Sequence, residues 1–188
     1  MLRRLATGLA AIFTFGRRAA PLIGPAKVID GDTIVVAGEL IRLHGIDAPE
    51  LDQTFLWRGE PVVCGTMSLA ALEALIAGVK VRCEVIERDR HGRLVAKVFS
   101  PNGVDISRRL VSAGWALAYR RYSKDYVAAE NEARKARRGM WRGTFVKPWE
   151  WRASSPPRST QAPSSAQRFA SRSEHNLVVL TERGAHKM

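Results

Sequence analysis

Two short runs constrain this chain more than anything else in it: Val28-Ile29-Asp30-Gly31-Asp32-Thr33, and Ile41-Arg42-Leu43-His44-Gly45-Ile46-Asp47-Ala48-Pro49-Glu50. Between and within them lie two β-prone segments, Ile34-Val35-Val36 and Leu40-Ile41-Arg42-Leu43. They flank Ala37-Gly38-Glu39, which predicts a tight hairpin. Folding the chain about Gly38 brings Asp32 within a few residues of Asp47. At about 3.3 Å per residue, a bulge or loop closes that gap. Gly31 and Gly45 stand where the backbone must bend close to a ligand. Asp-Gly-Asp by itself is also an ordinary exposed turn. Four carboxylates (Asp30, Asp32, Asp47 and Glu50) crowded into one hairpin repel each other, however, and a cation is their natural neutraliser.

The residue types in this corner point to one kind of chemistry. Hard oxygen donors such as Asp32 and Asp47 suit Ca²⁺ or Mg²⁺. Arg42 lies between Ile41 and Leu43, so strand alternation turns it to the opposite face from those two. Arg93 follows the turn Asp89-Arg90-His91-Gly92. Guanidinium forks grip phosphate oxygens as charge builds in a pentacoordinate transition state, which a lysine does less well. The plain alternative for both arginines is an exposed face or an ion pair with a nearby acid. Glu50 follows the stiff Pro49; it can accept a proton from water, or serve as an outer metal ligand or a solvated loop residue. Together these groups can hold a divalent cation and a phosphate diester side by side while water attacks phosphorus.

Charge agrees with an anionic partner. The 188-residue chain carries a net +12, which favours nucleic acid first and an anionic membrane surface second. Residues 1–24 contribute +4 and residues 153–188 contribute +3, leaving +5 on residues 25–152. The expected organisation follows: 1–24 as a signal peptide or N-terminal anchor, 25–152 as one folded domain, and 153–188 as a disordered basic Ser/Pro-rich tail. The apolar run Leu5 to Phe15 is too short to span a bilayer and suits a signal-peptide core, although Arg17 and Arg18 follow it at once. The expected location is therefore secreted or periplasmic, with membrane anchoring by an uncleaved segment as the alternative. Two cysteines, Cys64 and Cys83, leave a disulfide and buried free thiols equally open, and no Cys-x-x-Cys pair or histidine cluster suggests zinc.

Within the domain, residues 51–65 read as irregular, with Gly59-Glu60-Pro61 as a breaker. A helix is predicted from Thr66 to Ala77, then a second hairpin, Lys80–Glu87 with Leu94–Phe99. Asp105 caps a helix ending at Gly114, residues 115–119 form a last strand, and Lys124–Arg138 forms a basic helix stopped by Gly139. Strands first, then interleaved helices, give an α+β domain on a small twisted barrel, with five or six strands and a helix between the third and fourth. Tyr119 and Tyr122, interleaved with Arg120, Arg121 and Lys124, suit base stacking on single-stranded nucleic acid, or packing against the last helix. Trp115, Trp141, Trp149 and Trp151 read as core or helix-docking residues.

Three motifs in order carry a resemblance: Val28-Ile29-Asp30-Gly31-Asp32-Thr33, then Arg42-Leu43-x-Gly45-Ile46-Asp47-Ala48-Pro49-Glu50, then Asp89-Arg90-His91-Gly92-Arg93. With Gly139-Met140-Trp141 near the domain's end, residues 26–152 resemble the staphylococcal nuclease (thermonuclease) family. The resemblance implies an OB-fold five-stranded barrel with about three helices. It also implies a Ca²⁺-dependent phosphodiesterase that cuts DNA and RNA and leaves 3′-phosphate ends. By motif position, Asp32 and Asp47 would hold Ca²⁺ through their side chains and Ala48 through its carbonyl, where family members carry Thr. Arg42, Glu50 and Arg93 fall on the catalytic positions, and Tyr119 falls near a substrate-binding tyrosine with Tyr122 beside it. Arg90 and His91 replace a Lys-Tyr pair that contacts the nucleotide end. The expected partners are DNA and RNA, with no obligate protein partner, a monomeric state, and membrane contact confined to residues 1–20. The competing reading is the same barrel kept as a nucleic-acid-binding module, cleavage lost; the five acidic and arginine positions, all present, argue for the enzyme.

Overall fold

The computed structural model describes residues 20–154. The N-terminal apolar run and almost all of the expected basic tail lie outside them.

β-Branched residues alternate along the first half of the chain, and alternation puts every second one on a common interior. β1 (Leu22–Asp30), β2 (Thr33–Val36) and β3 (Glu39–Leu43) form the antiparallel start. Ile34, Val36, Ile41 and Leu43 all point inward and are fully buried. Two-residue β4 (Ile46–Asp47) follows, then β5 (Thr54–Trp57), β6 (Glu60–Val63) and helix α1 (Cys64–Ile76). β7 (Lys80–Arg88) and β8 (Leu94–Phe99) make the second long hairpin. The barrel closes in the order β1-β2-β3-β8-β7, with β7 returning to β1 and β3 running parallel to β8. This is the expected OB arrangement, and α1 lies between the third and fourth barrel strands.

The remaining elements are α2 (Ile106–Ala113), β9 (Leu117–Ala118), α3 (Val127–Lys135), a 3-10 helix (Gly139–Arg142) and α4 (Pro148–Ser154). The Asp105 side chain accepts from the Arg108 N–H, and Gly114 ends the helix with φ of 77°, as the sequence predicts. Among the described residues there are four α-helices where about three were expected. The fourth begins at Pro148, whose ring fixes φ for a first helical turn and whose missing N–H is no loss there. α3 is shorter than Lys124–Arg138. Tyr126 is pinned in the core with its hydroxyl donating to Asp105 Oδ2 at 3.0 Å, and Arg137 takes a positive φ of 49° beyond the other end.

Residues 51–65 depart most from expectation. Thr54-Phe55-Leu56-Trp57 and Glu60-Pro61-Val62-Val63 pair as a hairpin about Arg58 and Gly59, both at positive φ, 55° and 87°. That is the two-residue turn geometry matched to strand twist. Pro61 marked a breaker in the sequence, yet a proline is tolerated on an edge strand of a two-stranded ribbon.

Two apolar clusters result. The larger fills the barrel and joins it to α1 and α2 through Leu72, Ile76, Ile106, Leu110 and Val111. The smaller gathers Phe55, Cys64, Leu117 and Met140, with Trp115, Trp141, Phe145 and Trp149 around it. Cys83 belongs to the first and Cys64 to the second; both are buried free thiols, pushed up to about 11 by burial. No helix among the described residues is long and apolar enough to cross a membrane.

Candidate active site

The site begins with a bulge. The register of β1 on β2 shifts between Val28 and Asp30, and the Asp30 carboxylate accepts the Asp32 N–H at 3.0 Å. This local bond bends the strand and aims Asp32 inward. The Leu43 N–H then bonds the Asp32 carbonyl at 2.8 Å, fixing the corner against β3.

Asp32 gathers its neighbours. Its Oδ2 accepts the Ala48 N–H at 2.8 Å, and its Oδ1 accepts from the Thr33 hydroxyl and from Arg42 Nη1. The other arm of Arg42 donates to Asp47 Oδ1 at 2.6 Å. Asp47 stands on β4, which pairs with β9 through Asp47 and Leu117. So the turn after β1, then β3 and β4, deliver Asp32, Arg42 and Asp47 to one point from a short stretch of chain. The Asp32 and Asp47 side chains are 3% and 0% exposed, and Arg42 is 19% exposed. Burial pushes the Asp32 carboxyl up to about 7; Arg42 and the Ala48 N–H pull against it, while Asp30 and Asp47 add to it. Burial also disfavours the Arg42 charge, but Asp32 and Asp47 outweigh that and hold it above its usual value.

Two buried carboxylates sharing one guanidinium leave an excess negative charge, and Asp30 adds to the field. A hard divalent cation fits that donor set. Among the described residues no three His, Cys, Asp or Glu side chains form a ready-made cage. A cation here would therefore complete its shell with carbonyl, water or substrate oxygens. Asp32 and Asp47 would hold it, with the Ala48 peptide already fixed against Asp32.

Close packing, more than backbone freedom, explains two glycines here. A Cβ on Gly31 would lie 2.2 Å from Ser68 Oγ and 2.7 Å from Ala48 Cβ. A Cβ on Gly65 would lie 1.9 Å from the Glu50 carbonyl oxygen. The Ala48–Glu50 loop is thus clamped between the bulge and the start of α1.

Glu50 is placed by a residue that the sequence reading passed over. Gln53 is fully buried; its Oε1 accepts the Glu50 N–H at 3.2 Å, and its own N–H donates to the Glu50 carbonyl at 2.8 Å. Its Nε2 donates to the Val146 carbonyl at 2.7 Å, and its carbonyl accepts from the Cys64 N–H at 2.9 Å. One residue, through its side chain and its backbone, thereby ties the Glu50 loop to both α1 and the C-terminal segment. The available signal was a Gln three residues after Glu50, the reciprocal spacing of a capping box without its helix.

Arg93 immediately precedes β8, two residues before Val95, the cross-strand partner of Arg42. Alternation sets it diagonally beside Arg42 on the same face. Its Nε donates to Asp89 Oδ2 at 2.8 Å, using one of five guanidinium donors. Slight burial works the other way, but bonds from Arg93 and the His91 N–H hold Asp89 below the usual carboxylate range. Arg90 and His91 sit at the exposed hairpin turn and contact each other at 3.1 Å, apart from the Asp32–Asp47 pair. Tyr119 immediately follows β9, its N–H donating to the Gly45 carbonyl at 2.9 Å. Its ring stacks on Trp149 at 5.4 Å and meets Tyr122 edge-on at 5.0 Å, with Tyr122 60% exposed. Arg120, by contrast, is turned back to the buried Glu130 at 2.5 Å.

Comparison with known proteins shows the family. The model of the staphylococcal nuclease homologues matches residues 40–143, more than half of the chain. The chain belongs to that family. The succinoglycan biosynthesis protein ExoI of Rhizobium meliloti (strain 1021) is 42% identical over 127 residues, 66% of this chain and 66% of that protein. An uncharacterized endonuclease of Escherichia coli is 38% identical over 133 residues, 67% of this chain and 81% of that one. A micrococcal nuclease of Shigella flexneri is 33% identical over 146 residues, covering 69% and 79%.

Proposed function

We propose that this staphylococcal-nuclease-type domain is a Ca²⁺-dependent nuclease that hydrolyses the phosphodiester bonds of DNA and RNA and leaves 3′-phosphate ends. The observation that carries the reading is the buried pair Asp32 and Asp47 around Arg42. Relatives named as nucleases support the reaction class. The positive charge of the whole chain suits a polyanionic substrate.

Ca²⁺ held by Asp32 and Asp47 would polarise a phosphate oxygen and help ionise an attacking water. Arg42 and Arg93, on one face, grip the equatorial phosphate oxygens and meet the charge that develops there. Glu50, fixed by Gln53, takes the proton from the attacking water. Tyr119 and Tyr122 would offer ring faces to the bases, and Arg90 and His91, on their exposed turn, would contact a terminal nucleotide. A secreted or periplasmic location fits the apolar run Leu5 to Phe15 behind Arg3 and Arg4.

The role of Glu50 separates from that of an outer metal ligand by rate measured against Ca²⁺ concentration. Glu50→Gln should fall about 100- to 10,000-fold at every concentration, the usual loss of a general base. Recovery to near-parental rates at saturating Ca²⁺ would make Glu50 part of the ion site instead.

A further inference from the structure

The β5–β6 hairpin stands outside the barrel, and its tip carries a group that the fold does not use. Trp57 ends β5 with 37% of its surface exposed. The Arg58 guanidinium carbon lies 5.2 Å from its ring centroid and that of Arg142 lies 5.5 Å away. Neither arginine makes an ion pair among the described residues. The hairpin's one carboxylate, Glu60, is the cross-strand partner of Trp57, yet it joins neither cation. Two guanidiniums are therefore held against one indole with their charge uncompensated.

This arrangement is built. The Leu56 N–H donates to the Thr144 carbonyl at 2.8 Å and the Thr144 N–H returns to the Leu56 carbonyl at 3.0 Å. A Cβ on Gly143 would lie 1.9 Å from that Leu56 oxygen, so only glycine lets the two backbones approach so closely. The residue before it is Arg142, which is thereby delivered to Trp57. The hairpin also starts immediately after Gln53, the residue that fixes the Glu50 loop. Four residues of strand put Trp57 about 13 Å from Gln53, a few nucleotides along a single strand.

We propose that Trp57, Arg58 and Arg142 form an accessory subsite that stacks one base and grips the flanking phosphates of single-stranded nucleic acid, beyond the scissile bond. This deepens the nuclease reading and rests on it. A ring face accepts any base, and a guanidinium that the base displaces from over the ring meets the flanking phosphate oxygens in bidentate fashion. Leu56 and Val63 add exposed apolar surface to the same hairpin, 50% and 42% exposed. An anionic lipid surface is the rival occupant; two arginines fixed on one ring favour the stacked, phosphate-bearing ligand.

The test compares parent, Trp57→Ala, Trp57→Phe and the Arg58→Ala/Arg142→Ala double variant on a dinucleotide and on a 16-nucleotide single-stranded DNA. Affinity for the labelled 16-mer is measured in parallel by anisotropy, with the ion chelated. Trp57→Ala should raise the 16-mer KM and Kd about 5- to 150-fold, the usual loss of one base–aromatic stack. The Phe variant should recover most of that, and the double variant should flatten the salt dependence of 16-mer binding. The dinucleotide, too short to reach the hairpin, should change less than twofold. Equal losses on both substrates, or an unchanged 16-mer Kd, would overturn the subsite. So would a Trp57-dependent loss of binding to phosphatidylserine vesicles with 16-mer affinity intact. If the parent cleaves neither substrate, the nuclease reading fails, and the anisotropy series alone decides the subsite.

Discussion

Replacing Arg42 by methionine removes the one cation shared by two buried carboxylates. The side chains of Asp32 and Asp47 are 3% and 0% exposed, so water cannot take over the lost charge. Removing one partner of a buried ion pair costs about 3–5 kcal/mol, and the 19% exposure of Arg42 places this case near the lower end, about 3 kcal/mol. In a domain of this size each kcal/mol moves the melting midpoint by about 3 °C, so the variant should melt about 10 °C below the parent. Methionine keeps much of the apolar stem, which isolates the charge from the packing. The assay is a thermal melt at pH 8 with chelator, then with a Ca²⁺ series. Ca²⁺ at 100 times its Kd contributes about 2.7 kcal/mol, so it should return most of the lost stability, and its effect should exceed that in the parent. Arg42→Lys keeps the charge and should melt within a few degrees of the parent. A methionine variant that melts within 2 °C of the parent in chelator would refute the argument that Arg42 holds an otherwise self-repelling pair.

Gln53→Ala should lower stability by about 1–3 kcal/mol, because the Val146 carbonyl and the Glu50 N–H lose the partner that a fully buried side chain gives them. It should also lower kcat more than it raises KM, which steady-state kinetics checks. Arg93→Lys should cut turnover roughly 100- to 1000-fold with little change in melting, since a point charge replaces a fork; cleavage within twofold of the parent would remove it from the site. The Asp32 carboxyl, pushed up to about 7, binds its proton more tightly folded than unfolded. Stability in chelator should therefore fall as pH rises from about 4 to 7. The Ca²⁺-induced rise in melting point should grow over the same window, because the ion needs the carboxylate; equal rises at pH 5.5 and 8 would contradict this.

Much of the barrel is legible in the sequence because its strands alternate cleanly. Ile34, Val36, Ile41 and Leu43 state the interior face, and Gly38 states the turn between them. The meeting of Asp32 with Asp47 follows from that hairpin. What the sequence did not show is that Arg42 would lie between them, because alternation gives a face and not a partner. The β5–β6 hairpin escaped because Pro61 reads as a breaker, and only an edge position makes it tolerable. Gln53 escaped for another reason. A polar residue in an irregular stretch looks solvated, and the partner of its amide, the Val146 carbonyl, lies 93 residues away. The fourth helix has a local start signal in Pro148, but the stacking of its Trp149 on Tyr119 is a contact no local pattern encodes.

The central claim is that cleavage runs through an ion held by Asp32 and Asp47. The most direct measurement incubates the purified chain with single-stranded DNA and with RNA, each in Ca²⁺, in Mg²⁺ and in chelator, followed by end-group analysis, with Asp47→Asn alongside. The account predicts that both polymers are cut in Ca²⁺ to fragments bearing 3′-phosphates, that chelator abolishes cutting, and that Asp47→Asn loses it. Cleavage that persists in chelator, or that survives Asp47→Asn at the parental rate, would contradict it.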